Sequence, residues 1–198
     1  MLKPNNYDAT KEYGSYETLP AGNYIGKVVM VEEAISKTNK EMLKIYLDIA
    51  EGEYAGFFQE LYRDDTREEK KWPCIVNQLT QDKNGNCNRG LKTFISAVAA
   101  SNPGFDPNAV WGDNFCNCFR DKRVGVSFRE EEWINQNNEK RTSVKAYRFF
   151  AADAIEEQEM PLPKLLPESA PSYFAAPTSY APASGFANLG DNEKLPWD

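Results

Sequence analysis

The 198-residue chain contains no histidine. Without an imidazole it cannot form a Ser-His-Asp or Cys-His nucleophile, and most zinc hydrolase sites are excluded as well. The chain also contains neither Gly-x-x-x-x-Gly-Lys-Ser/Thr nor Gly-x-Gly-x-x-Gly, the glycine-rich patterns that bind phosphate groups. We therefore expect a protein that is not an enzyme and that uses no cofactor.

Long apolar runs are missing too. No stretch reaches the length of about 18 apolar residues that a transmembrane helix needs, so we expect no membrane partner. Residues 1–7 lack the apolar segment of a secretory signal peptide. These two observations predict a cytoplasmic protein.

The chain has four cysteines, and their spacing is unlike that of common zinc motifs. Cys116 and Cys118 form an atypical C-x-C pair, whereas Cys74 and Cys87 lie far away in the sequence. Reduced thiols are the usual state of such residues in a cytoplasm. The acidic run 130–132 does not indicate a metal-dependent nuclease, because neighbouring residues of a strand point to opposite faces. We expect no metal site.

Composition changes near residue 160. More than half of the 12 prolines follow this point, and prolines every few residues prevent both helices and regular strand pairing. Residues 151–198 carry a net charge of −6, whereas residues 1–150 are close to neutral at −1. We therefore predict a folded domain over 1–160, a flexible Pro/Ala-rich linker over 161–189 and an acidic tip over 190–198.

Within the predicted domain, alternation of apolar and polar residues indicates β-strands. The clearest case is 41–50, where Leu43, Ile45 and Leu47 alternate with polar or amphipathic residues. Apolar residues at helical spacing predict one helix over 89–101, which Asn102-Pro103-Gly104 would end. The predicted strands are 24–33, 41–50, 57–63, 122–133 and 141–151.

On the first strand we expect Ile25, Val29 and Val31 on one face and Tyr24, Val28 and Met30 on the other. On the fifth we expect Val144, Ala146 and Arg148 to alternate with Lys145, Tyr147 and Phe149.

Three strands, a helix and a two-stranded hairpin follow the element order of an OB-fold. We therefore predict a mainly β protein: a five-stranded OB-fold barrel with one helix between strands three and four, followed by a disordered tail. SH3-like barrels and small sandwiches can be drawn through the same strands and remain alternatives.

Basic and aromatic residues alternate on the sides of the strands predicted to face solvent. Unpaired bases stack on aromatic rings and Lys or Arg side chains follow the phosphates, so this pattern favours single-stranded nucleic acid. The alternative is that the aromatic residues belong to the core and the charges to an ordinary wet face. The predicted nucleic-acid contacts are Lys27, Lys44, Tyr46, Tyr62, Arg123, Arg129, Trp133, Lys145 and Tyr147.

The last residues of the chain form a distinct motif. Acidic residues precede a leucine, a proline and a tryptophan, which is the composition of a short docking peptide with an aromatic anchor. The predicted partner-binding residues are Asp191, Glu193, Leu195, Pro196 and Trp197.

This architecture resembles the single-stranded DNA-binding proteins of bacteria and phages, whose acidic tails end in Ile/Leu-Pro-Phe. The opening Leu19-Pro20-Ala21-Gly22-Asn23-Tyr24, leading into residues 27–32, is more similar to the phage and prophage branch. The resemblance implies sequence-independent binding of single-stranded DNA in replication or recombination in a bacterial cytoplasm, with the tip recruiting other proteins of these processes. The chain departs from the family in having Trp197 in place of phenylalanine, Lys194 among the acids, and Asp198 after the aromatic residue.

Two other classes compete with this interpretation. One is a non-catalytic interaction module, in which a β-barrel binds another protein and the tail is a docking peptide. The other is a small metal-dependent nuclease, which is supported only by scattered carboxylates. A homo-oligomer of the domain is compatible with each of these classes.

Overall fold

The computed structural model describes residues 1–5, 7–8, 17–106, 109 and 111–167. The described residues up to Leu166 belong to one compact unit. The predicted tip, 190–198, and the predicted linker from residue 168 onward lie outside the described residues. Within the described part of the chain, every helix is too short or too polar to cross a membrane.

The domain is built mainly from β-strands, as predicted. Short 3₁₀ turns at Asn117–Phe119 and Ala152–Glu157 flank the last two strands. The main elements are β1 (Gly22–Ile35), β2 (Glu41–Ile49), α1 (Phe57–Asp64), β3 (Ile75–Leu79), α2 (Arg89–Ser101), β4 (Arg123–Ile134) and β5 (Lys140–Phe150).

The five strands form one antiparallel sheet in the order β3-β2-β1-β4-β5. The predicted number of strands is confirmed, and so is the helix between strands three and four. The predicted closed barrel is not: no pairing between β3 and β5 joins the two edges of the described sheet. The core packs against one face of this sheet, with Val28, Ile45 and Val124 completely buried.

The predicted strand 57–63 is wrong, because these residues form α1. Phe57 and Leu61 are four residues apart and pack together against the core, as helical spacing allows. The start of α1 is held by the carboxylate of Asp48, which is 2% exposed. Its Oδ1 accepts hydrogen bonds from the backbone N–H groups of Ile49 and Phe58, both at 2.9 Å.

The third strand of the sheet, β3, lies between 63 and 89, where the sequence pattern predicted no helix or strand. It pairs with β2 from Tyr46 opposite Ile75 to Met42 opposite Leu79. Its five residues alternate only weakly in burial, because β3 is an edge strand. A strand this short and this exposed leaves little periodic signal in the sequence.

The predicted helix 89–101 is confirmed with the same bounds as α2. Asn88 caps it, since its side-chain oxygen accepts a hydrogen bond from the Gly90 N–H at 2.8 Å. Phe94 is fully buried between the rings of Phe119 and Phe149, at centroid distances of 5.1 and 5.0 Å. This helix covers the β4–β5 end of the core.

Two β-bulges overturn the predicted strand faces. In β1 the register shifts between Val28 and Met30, so Val28 and Val31 are both buried although they were predicted on opposite faces. In β5 the extra residue is Tyr147, because Ser127 pairs with Arg148 and Phe128 pairs with Ala146. An inserted residue reverses the alternation beyond it.

The chain after β5 returns to the sheet. Residues 161–166, which we call the terminal segment, run beside β4 on the side opposite β5. The Lys164 N–H donates to the Glu130 carbonyl at 2.8 Å, and the Glu132 N–H donates to the Lys164 carbonyl at 2.9 Å. The Leu166 N–H also donates to Oε2 of Glu132, at 3.0 Å. The compact unit thus extends six residues beyond the boundary expected from composition.

Candidate nucleic-acid interface

The face of the sheet opposite the core, which we call the outer face, carries most of the predicted contacts. The strand register shows which side chains lie on this face, because residues paired across an antiparallel ladder point to the same side of the sheet. Cations on this face outnumber the carboxylates Glu32 and Glu131. The outer face contains Lys27, Met30, Glu32, Lys44, Tyr46, Ile75, Asn77, Arg123, Arg129, Glu131, Trp133, Arg141, Ser143 and Lys145.

One row of apolar side chains crosses three strands of the outer face. Met30 is paired with Tyr46, and Tyr46 is paired with Ile75. Met30 is 41% exposed and Ile75 is 37% exposed. This apolar row offers an uninterrupted surface on which a flat ring can lie.

Cations adjoin the apolar row. Lys44 lies one pleat away, between Glu32 of β1 and Asn77 of β3, and Lys27 is paired with Arg123 of β4. Neither Lys27 nor Lys44 forms an ion pair with another residue in the described part of the chain.

The Tyr46 hydroxyl donates a hydrogen bond to Oε2 of Glu32 at 2.8 Å, which fixes the ring beside Lys44. Partial burial, together with this hydrogen bond and the charge of Glu32, raises the pKa of Tyr46.

Arg123 is engaged within the domain already. Its guanidinium forms an ion pair with Glu51 at 2.7 Å, and both side chains are about half exposed. Exposed pairs of this kind contribute roughly 0–1 kcal/mol, so a phosphate can compete with Glu51 at little cost.

A second aromatic and cationic cluster lies on the β4–β5 hairpin. The Arg129 guanidinium lies 4.4 Å from the centroid of the Tyr147 ring, and Lys145 is paired with Arg129. Arg129 also donates two hydrogen bonds to Oε1 of Glu131, at 3.0 and 2.8 Å. These hydrogen bonds are the main reason that the pKa of Glu131 is lowered. Tyr147 itself is 39% exposed.

Trp133, which is 42% exposed, lies near the end of the hairpin opposite Arg141. Six residues of β4 separate Arg123 from Arg129, which corresponds to roughly 20 Å. The predicted contacts therefore form two clusters, one on β1–β2 and one on β4–β5, and Lys27 and Arg123 adjoin the first.

Tyr62 is not on the sheet, which corrects its predicted place on a strand. It lies on α1, where its ring packs against Trp72 at a centroid distance of 5.3 Å, and Lys70 Nζ lies 5.7 Å from the ring centroid. The Trp72 indole N–H donates to the Leu47 carbonyl at 2.8 Å, which anchors this group at the end of β2.

Sequence reasoning missed four of these residues, Met30, Ile75, Lys70 and Trp72. The succession Lys70-Lys71-Trp72 was the available signal for two of them.

The cysteines give no indication of a metal centre. In the part of the chain that the structure describes, no group of three or more Cys, Asp or Glu residues is arranged to hold a metal ion. All four cysteines are free thiols. Burial, followed by the charge of Asp48, raises the pKa of Cys74 to about 12, so this thiol stays protonated.

The five predicted partner-binding residues of the tip, Asp191, Glu193, Leu195, Pro196 and Trp197, lie outside the described residues. The outer face can supply flat apolar surface for stacking and cations for phosphate groups. Comparison with known proteins adds no family, since neither a family model nor a curated protein matches this chain.

Proposed function

We propose that the domain binds single-stranded DNA without sequence preference across the outer face of its sheet. One observation carries the proposal: in both clusters an aromatic ring lies beside a cation, with Tyr46 half-buried and Tyr147 exposed. Lys44 adjoins Tyr46 in the first cluster, and Arg129 and Lys145 adjoin Tyr147 in the second.

This arrangement matches what single-stranded DNA requires. Stacking of an unpaired base on an aromatic ring contributes about 1–3 kcal/mol and is tolerant of sequence, because every base has a flat face. Lys27 and Arg123 adjoin the first cluster, where they can contact the phosphates of a strand that stacks on it. Bases in a duplex are already stacked and paired, so the outer face favours a single strand.

The strand order supports an OB-fold assignment within this proposal. β1 is the central strand, it pairs with both β2 and β4, and α2 lies between β3 and β4. OB-folds are five-stranded barrels that are often partly open, and they bind oligonucleotides on one sheet face. An opening between β3 and β5 is compatible with that architecture.

We extend the proposal to the tail. The acidic tip would recruit proteins of phage or prophage DNA replication or recombination in a bacterial cytoplasm, with Trp197 filling an apolar pocket. Asp191 and Glu193 would face basic residues at the pocket rim. Replacing Trp197 by Ala should abolish capture of such a partner and leave DNA binding unchanged. Identical captured proteins with both tails would contradict the role of the tip.

The test of DNA binding is fluorescence anisotropy with labelled oligo-dT and with the matching duplex. Wild type should bind the single strand more tightly, and Tyr46→Ala or Tyr147→Ala should each weaken binding by about 1–3 kcal/mol. Tyr7→Ala is the matched control, because Tyr7 is exposed and lies outside the sheet. Equal affinity for both DNAs would refute the proposal. Absence of DNA binding together with capture of a partner would favour the protein-interaction module.

Salt dependence tests the cations separately. Replacing Lys27, Lys44 and Lys145 together by Ala should lower affinity for every sequence alike. Each lost phosphate contact should also flatten the slope of log affinity against log salt by about 0.7. An unchanged slope would show that these lysines are ordinary surface residues. The control variant replaces Lys83, Lys92 and Arg120, which are exposed and lie outside the outer face.

A further inference from the structure

A concave surface lies at the end of the sheet opposite the β4–β5 hairpin. It is a cleft of about 1260 Å³. The end of β1 and the start of β2 form one wall, and the chain between β3 and α2 together with residues 111–116 forms the other. We call it the acidic cleft.

The floor of the acidic cleft is apolar. Leu43, Leu91 and Phe115 line it and are nearly fully buried. Trp111 lies flat on Phe115, with ring centroids 4.5 Å apart and an interplanar angle of 8°, and yet it is 59% exposed. A large aromatic ring held in place and open to solvent can bind a ligand at a low cost in side-chain entropy.

The rim of the cleft carries four carboxylates, from Glu32, Glu33, Glu41 and Asp113, and among the described residues no Lys or Arg lines it. None of the four forms an ion pair with another residue that the structure describes. On the β4–β5 hairpin the opposite holds, since Glu131, Glu132 and Glu139 are each paired with Lys or Arg. No ion pair among the described residues therefore neutralises the carboxylates of the cleft.

The thiol of Cys116 also lines the cleft, and the nearby carboxylates affect its pKa. Its pKa is raised first by partial burial and then by the charges of Glu33 and Glu32. A negative potential of this kind repels phosphate groups and attracts cations. The cleft is thus unsuited to DNA, and it borders the outer face at Glu32.

We infer that the acidic cleft binds a protein segment that carries Lys or Arg next to a large apolar residue. Its volume exceeds the roughly 300–1,000 Å³ of common small-molecule pockets, which favours a segment of polypeptide. The apolar residue would lie on the floor, and the cation would face Trp111 and the rim carboxylates. The tip of this chain has the wrong charge for the cleft, because Asp191, Glu193 and Asp198 would meet those carboxylates.

The test uses the full chain and two labelled heptapeptides, the basic KLKWKLK and the acidic ELEWELE, with binding measured by fluorescence anisotropy. The basic peptide should bind and the acidic one should not. Glu33→Gln combined with Glu41→Gln should weaken binding at least fivefold, and so should Trp111→Ala. The control, Glu68→Gln combined with Glu69→Gln, removes the same charge from exposed residues outside the cleft and should change little.

Cys87 gives a readout located in the cleft itself, because it lines the cleft and its side chain is exposed. The basic peptide should slow the alkylation of Cys87, measured by mass spectrometry, whereas oligo-dT should leave the rate unchanged. Equal weakening by the control variant, full affinity of Trp111→Ala, or protection of Cys87 by oligo-dT would each overturn the inference. Because oligo-dT binding is measured independently, failure here is distinguishable from failure of the proposed DNA binding.

Discussion

Replacing Asp48 by Ala should strongly destabilise the domain, although Asp48 lies in no predicted site. Its carboxylate is 2% exposed and accepts two backbone hydrogen bonds, from the N–H groups of Ile49 and Phe58. Phe58 lies in the first turn of α1, where backbone N–H groups lack partners within the helix. The Ala variant leaves both donors buried with no acceptor supplied by that side chain.

The magnitude follows from those two donors. A buried polar group that loses its partner costs about 1–3 kcal/mol. Two such groups give an expected loss of about 2–6 kcal/mol in the free energy of unfolding, a large fraction of the stability of a typical domain. Asp48→Asn retains an acceptor oxygen in the same place but loses its charge, so we expect roughly half of that loss.

Urea unfolding followed by tryptophan fluorescence and by circular dichroism measures both variants. The matched control is Asp64→Ala, since the Asp64 side chain is 64% exposed and forms a surface ion pair with its neighbour Arg63. The control should remain within about 0.5 kcal/mol of wild type. If Asp48→Ala were as stable as this control, the carboxylate would not hold α1 and the reasoning would be refuted.

Three further predictions concern the same domain. Ending the chain after Pro167 should leave the stability of the domain unchanged. Ending it after Met160 removes the hydrogen bonds of the terminal segment, so urea unfolding should show a free energy of unfolding lower by about 1–3 kcal/mol. Gly125→Ala should lower the free energy of unfolding by about 1–3 kcal/mol, because a Cβ there would lie 2.3 Å from the Phe150 ring; an unchanged midpoint would contradict this packing. Under native conditions iodoacetamide should modify Cys87 and spare Cys74, which is buried and has a pKa of about 12; equal labelling in peptide mapping would count against the buried position.

Local signals in the sequence predicted the elements whose stabilising contacts are local. The helix α2 was predicted with its observed bounds because its apolar spacing and its stop at Asn102-Pro103-Gly104 are contained in one short stretch. The alternation on β2 was equally reliable, since Leu43, Ile45 and Leu47 are all buried. Lys44 and Tyr46 therefore point to the outer face, as predicted.

Predictions failed where distant residues decide the local conformation. The start of α1 is held by Asp48, ten residues earlier than Phe58, so the stretch from Phe57 onward shows no helix start of its own. The bulges at Val29 and Tyr147 depend on how neighbouring strands pack, and each reverses the faces that strict alternation predicts. This is why Phe149 is buried and Arg148 is exposed.

The sequence by itself determined the mainly β character of the domain, the place of α2, the change in composition after residue 160, and which cations and aromatic rings were available for binding. Only the tertiary structure decided that these side chains form two clusters on one face, that Tyr62 lies apart from them with Trp72, and that four carboxylates line the same cleft as Trp111. The physical reason is that periodicity reports the burial of one segment at a time. A binding surface depends on the register between segments, which is set by strand pairing and core packing across the whole chain.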